Sequence, residues 1–276
     1  MTTNPKAADT DWRDVRGPFD IIGDVHGCAD ELVELLRKLG YTVRLDGEGD
    51  KRRAVTTAPK GRRAFFVGDL VDRGPNSPDV LRIVMDMAAA GQAFCVPGNH
   101  DDKLLRWLKG REVKIGHGLE RTVAQLDGAS EAFKARIAAF VESLPYHAWL
   151  DGGALAIAHA GVRENMLGRN SPKVRSFCLY GDTSGRADEN GLPERFDWAA
   201  DYDGKTPVVY GHTPVAEPEW LNNTMCIDTG CVFGGKLTAL RWPERELVSV
   251  PARETYAVLR RGFGLPPRRP SGQVAS

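Results

Sequence analysis

The sequence predicts a mixed α/β protein in which two β-sheets pack as a sandwich with helices outside. Three observations lead there. Short apolar, strand-like runs alternate with amphipathic helical segments. The second half carries more strands and shorter helices than the first, unlike a pure doubly wound sheet. Several short polar strings each follow one of the apolar runs, the place where open α/β sheets bind ligands.

Residues 1–16 are polar and aperiodic and are expected to form a flexible tail. Phe19–Ile22 is a short apolar strand. Asp30–Leu39 places Leu32, Leu35, Leu36 and Leu39 on one helical face, and Gly40 stops the helix. Polar, β-leaning runs from Tyr41 to Arg63, broken by Asp46-Gly47 and Pro59, predict a hairpin insertion. Arg63–Val67 is the next strand. Ser77 is the expected cap, and Pro78 the first residue, of a helix closed by Gly91. Gln92–Val96 reads as strand and Asp101–Lys109 as helix, followed by helical patterns at Glu120–Asp127 and Ser130–Leu144. Strands return at Ala154–Ala158, Pro207–Tyr210, Thr224–Ile227, Lys236–Arg241 and Glu246–Val250. One domain over 17–258 is expected. Residues 259–276, rich in Pro, Gly and Arg, read as a flexible tail or linker.

At 276 residues with 42% hydrophobic content the chain can bury a sizeable core. Its formal net charge is zero, so the whole-molecule field does not favour non-specific nucleic-acid binding. Cys28, Cys95, Cys178, Cys226 and Cys231 are odd in number and form no Cys-x-x-Cys pair, which favours reduced, buried thiols in a cytoplasm. The first residues lack a signal-peptide pattern. No apolar stretch approaches the ~20 residues of a membrane span, so no membrane association is expected.

The polar strings are Gly23-Asp24-Val25-His26-Gly27, Gly68-Asp69-Leu70-Val71-Asp72-Arg73-Gly74, Gly98-Asn99-His100-Asp101, His159-Ala160-Gly161 and Gly211-His212. Asp24 and His26 lie two positions apart, a spacing that puts both side chains on one side of extended backbone. Asp69 has two oxygens and can bridge two cations. Asn99 adds an amide oxygen, and His159 and His212 each follow a strand. Two Asp, one Asn and three His without thiolate suit manganese, iron or zinc better than calcium or magnesium; nickel and cobalt are further candidates. Two divalent cations bring four positive charges, of which Asp24 and Asp69 cancel two. The remainder attracts a phosphate dianion and lowers the pKa of a shared water toward ~7. His117 reads as a loop or cap residue and His147 as packing.

His100 follows Asn99 directly, so in extended backbone it points elsewhere, toward a leaving oxygen as general acid. Asp72 is its expected orienting partner and Arg73 a planar fork for phosphate oxygens. A surface Asp72–Arg73 ion pair is the plain alternative. Arg163 opens a basic stretch with Arg169, Lys173 and Arg175 around an Asn170-Ser171-Pro172 loop. It reads either as a grip on a substrate phosphate or a polynucleotide backbone, or as a solvated loop. Asp228 ends a strand and reads as a partner for a ligand histidine or as a turn cap.

These ordered strings resemble the calcineurin-like metallophosphoesterase superfamily from about Phe19 to Val250. The resemblance implies the family's two-sheet sandwich and a pair of metal ions, usually manganese. By it, Asp24, His26 and Asp69 hold the first metal, and Asp69, Asn99, His159 and His212 the second. A metal-bridging hydroxide attacks in line, with His100 as acid, Asp72 orienting it and Arg73 clamping phosphate. Phe19–Cys28, Phe177–Asp182, Val209–Val215 and Ile227–Thr238 look like the phosphatase domain of bacterial polynucleotide kinase-phosphatase. That likeness implies removal of 2′- and 3′-phosphates and opening of 2′,3′-cyclic phosphates on RNA or DNA ends. This chain has neither a phosphate loop of the Gly-x-x-x-x-Gly-Lys type nor Lys-x-Asp-Gly, so it reads either as a domain of a longer parent that holds the kinase and ligase modules or as a free-standing relative, and those roles do not carry over. The rivals are symmetrical diadenosine tetraphosphate hydrolase, a serine/threonine phosphoprotein phosphatase and, outside catalysis, a metal-free scaffold. The scaffold is disfavoured because every expected ligand is present. Oligomeric state is left open.

Overall fold

The computed structural model describes residues 9–187, 193–259 and 262–264. Its strands are β1 (Asp11–Trp12), β2 (Phe19–Ile22), β3 (Thr42–Asp46), β4 (Arg53–Thr57), β5 (Arg63–Phe66), β6 (Ala93–Cys95), β7 (His147–Leu150), β8 (Leu155–Ala158), β9 (Asp182–Ala187), β10 (Pro193–Phe196), β11 (Val208–Tyr210), β12 (Trp220–Leu221), β13 (Thr224–Cys226), β14 (Lys236–Trp242) and β15 (Glu246–Pro251). The helices are α1 (Ala29–Lys38), α2 (Ser77–Ala89), α3 (Asn99–Leu108), α4 (Leu119–Gln125), α5 (Glu131–Ser143) and α6 (Pro172–Tyr180).

Two mixed sheets dominate. One has the order β15-β14-β2-β5-β6, with β2, β5 and β6 parallel. The other has the order β1-β7-β8-β11-β13-β12, with β8, β11 and β13 parallel. The hairpins β3–β4 and β9–β10 stand apart. Phe19, Ile21, Phe65 and Leu240 of the first sheet pack against Leu155, Ile157, Val209 and Met225 of the second, forming the core between them. The alternate residues face outward onto helices. Ile22 and Phe66 meet Leu32, Leu35 and Val84, while Ala156, Ala158 and Tyr210 meet Val174, Phe177 and Trp198. Both faces of each sheet are therefore buried, and strands such as Phe19–Ile22 and Leu155–Ala158 are fully inside.

Several local expectations need correction. Trp12 and Val15 lie in the inter-sheet core and Asp11–Trp12 pairs in parallel with β7, so the expected tail is ordered from residue 9. A two-residue strand carries no periodicity that could have revealed it. Residues 1–8 lie outside the described part. Asn76, not Ser77, caps α2, accepting from the Asp79 amide at 3.1 Å. The Ser77 hydroxyl is used elsewhere, accepting from the Asp72 amide at 3.2 Å. Helix α3 begins at Asn99, two residues earlier than expected. Part of the expected basic loop is helix α6, capped by Ser171. Beyond β15 the chain does not leave the body at once: Tyr256 and Ala257 both donate to the Val232 carbonyl at 3.0 Å. Of the expected C-terminal tail, residues 260–261 and 265–276 lie outside the described part. Among the described residues no helix is long and apolar enough to cross a membrane.

Candidate metal centre

Six strand ends build the centre, three from each sheet. Asp24 and His26 follow β2, Asp69 follows β5, and Asn99 and His100 follow β6. His159 follows β8, His212 follows β11 and Asp228 follows β13. The sandwich brings the carboxyl ends of both parallel sets to one edge, so residues far apart in sequence meet. Tight turns are needed to aim them. His26, Asp69, Asp72, Arg73 and His212 all take positive φ, a conformation unfavourable for side chains and often concentrated at functional sites. Two close approaches require glycine: a Cβ on Gly98 would overlap Asp69 Oδ1, and one on Gly211 would overlap Asp24 Oδ1.

The Asp69 carboxylate sits in the middle. Its Oδ1 accepts from the His100 amide at 3.0 Å. Its Oδ2 lies 3.4 Å from Nε2 of both His26 and His159. Each imidazole is oriented from behind, His26 Nδ1 by the Val71 carbonyl at 2.8 Å and His159 Nδ1 by the Val67 carbonyl at 3.1 Å. Nδ1 is thus the donor, and each Nε2 lone pair faces the shared carboxylate. His159 Nε2 also lies 3.1 Å from Asn99 Oδ1 and 3.0 Å from His212 Nδ1. Two donor groups result, His26–Asp69–His100 and Asp69–His159–His212, with Asp69 in both. Asp24 joins through Oδ2, which accepts from the His212 amide at 3.0 Å, while its Oδ1 is buried with no hydrogen-bond partner.

The electrostatics call for cations. Burial, then the neighbouring Asp228 and Asp69, pushes the Asp24 carboxyl well above its usual range. Burial also lifts Asp228 to about 7. Burial presses Asp69 the same way, but the facing His159, His100 and Arg73 hold it below its ordinary value. His26 and His212 are held well below the usual imidazole value, chiefly by burial, which favours the neutral form that ligates a cation, and burial presses His100 the same way. Crowded carboxyls, neutral imidazoles and an orphaned buried oxygen are a donor set that fits divalent cations.

The remaining expected residues fall as follows. His100 Nδ1 lies 2.6 Å from Asp72 Oδ2, and its Nε2 lies 2.8 Å from an Arg73 guanidinium nitrogen. The plain alternative of a surface Asp72–Arg73 pair does not hold, because Asp72 is buried and bonded to His100 and Thr122. His100 sits in the first turn of α3, so helical rather than extended geometry separates it from Asn99. Asp228 accepts from the Gly230 amide at 2.9 Å, capping a turn, and also faces Asp24 electrostatically. Arg163 pairs with Asp182 at 3.3 Å and lies over Phe177, whereas Arg175 pairs with Asp102 at 2.6 Å. In place of one basic surface, Arg163 and Arg175 each have their own carboxylate. His147 is buried packing, and His117 is an exposed residue just before α4.

Two contributors escape sequence reading. Thr122 of α4 donates to Asp72 Oδ1 at 2.7 Å and accepts from the Asp72 amide at 2.9 Å. Arg195 of β10 lines a cleft with Asp182, Tyr210, His212 and Thr213, and its charge reaches His212. Neither belongs to a motif beside the ligands, so no local signal points to them.

A family profile described as calcineurin-like phosphoesterase matches residues 17–245. The asymmetrical bis(5′-nucleosyl)-tetraphosphatase PrpE of Anoxybacillus flavithermus is 50% identical over 242 residues, spanning 86% of this chain and 96% of that protein. Its namesake in Bacillus subtilis is 46% identical over 242 residues, with the same two coverages. A crystal structure provisionally described as a diadenosine tetraphosphatase matches with a TM-score of 0.61 and 25% identity, covering 89% of this chain and 98% of that one. These relatives overturn the expectation of polynucleotide end repair: proteins 44–50% identical over 85–86% of the chain bear the name of a dinucleoside tetraphosphatase. Of the strings that suggested end repair, Phe19–Cys28 and Val209–Val215 run through the donor cluster, Ile227–Thr238 borders it, and Phe177–Asp182 is the end of α6 and the start of β9. The first two are shaped by the donor cluster, so they report the chemistry and not the substrate.

Proposed function

The chain belongs to the calcineurin-like phosphoesterases, hydrolases of phosphoester bonds, and on that premise we propose that it hydrolyses dinucleoside tetraphosphates asymmetrically. An off-centre cut of a four-phosphate bridge yields a nucleoside triphosphate and a nucleoside monophosphate. A central cut yields two diphosphates. The observation that carries this reading is the 50% identity over 96% of a relative named for the asymmetrical reaction.

Asp24, His26 and Asp69 would hold one cation, and Asp69, Asn99, His159 and His212 the other. Bound there, the pair supplies positive charge for a phosphate and acidifies water. Manganese is the proposed metal, supported by the mixed oxygen and nitrogen donors without thiolate. Arg73 offers a planar fork beside His26 and His100 for non-bridging phosphate oxygens. Arg195 supplies a second positive charge on the His212 side. In its imidazolium form, with Nδ1 held by Asp72, His100 would donate its Nε2 proton to the leaving oxygen and be left as the neutral ring. A nucleoside triphosphate is a less basic leaving group than an alkoxide, so this donation matters less here than for alkyl esters. A reducing, cytoplasmic setting is part of the proposal and is supported by five free, buried thiols.

The test is product chromatography after incubation with manganese and diadenosine tetraphosphate. Equal ATP and AMP support the reading. ADP alone means a symmetrical cut, and inertness toward this substrate refutes the proposal.

A further inference from the structure

After β15 the chain turns back across the loop between Asp228 and β14. Phe233 forms a bridge with Thr255, and the Gly264 amide donates to the Pro214 carbonyl at 2.8 Å. Pro214 is two residues past His212, and Gly230 is two past Asp228, so this strap ties together two loops of the metal centre. Phe263 lies against Gly230, where a Cβ would overlap its ring and would stand 3.5 Å from Pro214 Cβ. The neighbouring backbone is thus anchored, yet Phe263 remains 44% exposed. In the same turn, three residues past Gly230, Phe233 is half-buried, with the Arg73 guanidinium 5.3 Å from its ring centroid.

An anchored but exposed aromatic ring forgoes burial that would stabilise the fold. Here one ring lies in, and the other against, a single turn beside the Arg73 guanidinium. We propose that Phe233 and Phe263 form a stacking platform for the nucleobase attached nearest to the phosphate held by Arg73. The proposal rests on the dinucleoside tetraphosphate reading and deepens it. Aromatic faces accept any base, because every base has a π-face. The guanidinium against Phe233 joins phosphate and base recognition in one contact. A base seated one phosphate away from the clamp leaves a monophosphate on its own side, which makes the cut off-centre.

The test compares AMP with ribose 5-phosphate by titration calorimetry on the manganese-loaded protein. Both present one phosphate on a ribose, and only AMP has a base. The platform predicts AMP binding roughly 10-fold or more tighter. Phe263→Ala and Phe233→Ala each pull that ratio toward one, and Phe263→Trp retains it. General damage to the site weakens both ligands together and leaves the ratio intact. Equal affinities in the unaltered protein, or an unchanged ratio in both alanine variants, overturn the platform. Loss of the function reading looks different: diadenosine tetraphosphate is not cleaved, while the AMP preference and its dependence on Phe263 persist.

Discussion

His100 Nδ1 lies 2.6 Å from Asp72 Oδ2, and both residues are almost wholly buried. The Thr122 hydroxyl donates to the other Asp72 oxygen at 2.7 Å. One imidazole nitrogen is thereby committed to the protein, and the other faces Arg73 and the ligand cluster.

If this pair acts as one device, its single losses do not add. General acid help is worth roughly 10²–10⁴-fold. His100→Ala is expected to cost an amount in that range on phenyl phosphate and less on p-nitrophenyl phosphate, whose leaving group needs little protonation. Asp72→Asn should reproduce most of the loss, with little more in the double variant. Additive losses measured by kcat would show that the two residues act independently.

Gly211 lets Asp24 approach the His212 loop. Gly211→Ala drives a Cβ into Asp24 Oδ1 and to 3.0 Å from Val67. Manganese affinity should fall by roughly 10–100-fold, the range seen when groups supporting a metal ligand are disturbed. A titration of activity against manganese concentration checks this. An unchanged half-saturating concentration would mean that Asp24 does not serve the metal.

His147 supplies a pH dependence away from the metal centre. Its Nε2 accepts from the Gly168 amide at 3.2 Å, and burial pushes its pKa down to about 4. The unfolded chain takes up this proton near pH 6.5 and the folded one only near 4. Stability from this group is therefore complete above pH 6.5 and declines as the pH falls toward 4, by about 3 kcal/mol in all. His147→Gln, which keeps an acceptor, should flatten urea-unfolding stability across that window. Parallel pH profiles for the two proteins would contradict the assignment.

The candidate ligands were legible because each follows an apolar run and sits beside a glycine or a turn, a pattern imposed by strand ends and close approach. Asp24, His26, Asp69, Asn99, His159 and His212 are brought together as expected. Other features left no local trace. Strands buried on both faces, such as Leu155–Ala158, read as plain apolar runs, so neither sheet order nor register was visible. Thr122, Arg195 and Phe263 reach the centre or its rim from segments whose own sequence obeys ordinary helix, hairpin or loop rules. The strings that resembled an end-repair phosphatase did not fix the substrate, and the relatives named for dinucleoside tetraphosphates point elsewhere.

The central claim is a cation pair sharing the Asp69 carboxylate. Elemental analysis after manganese loading and removal of free metal tests it directly, comparing the protein with Asp69→Ala. The account predicts two equivalents per chain in the unaltered protein, and one or none, without hydrolysis, in the variant. Two tightly held equivalents in both proteins would contradict it.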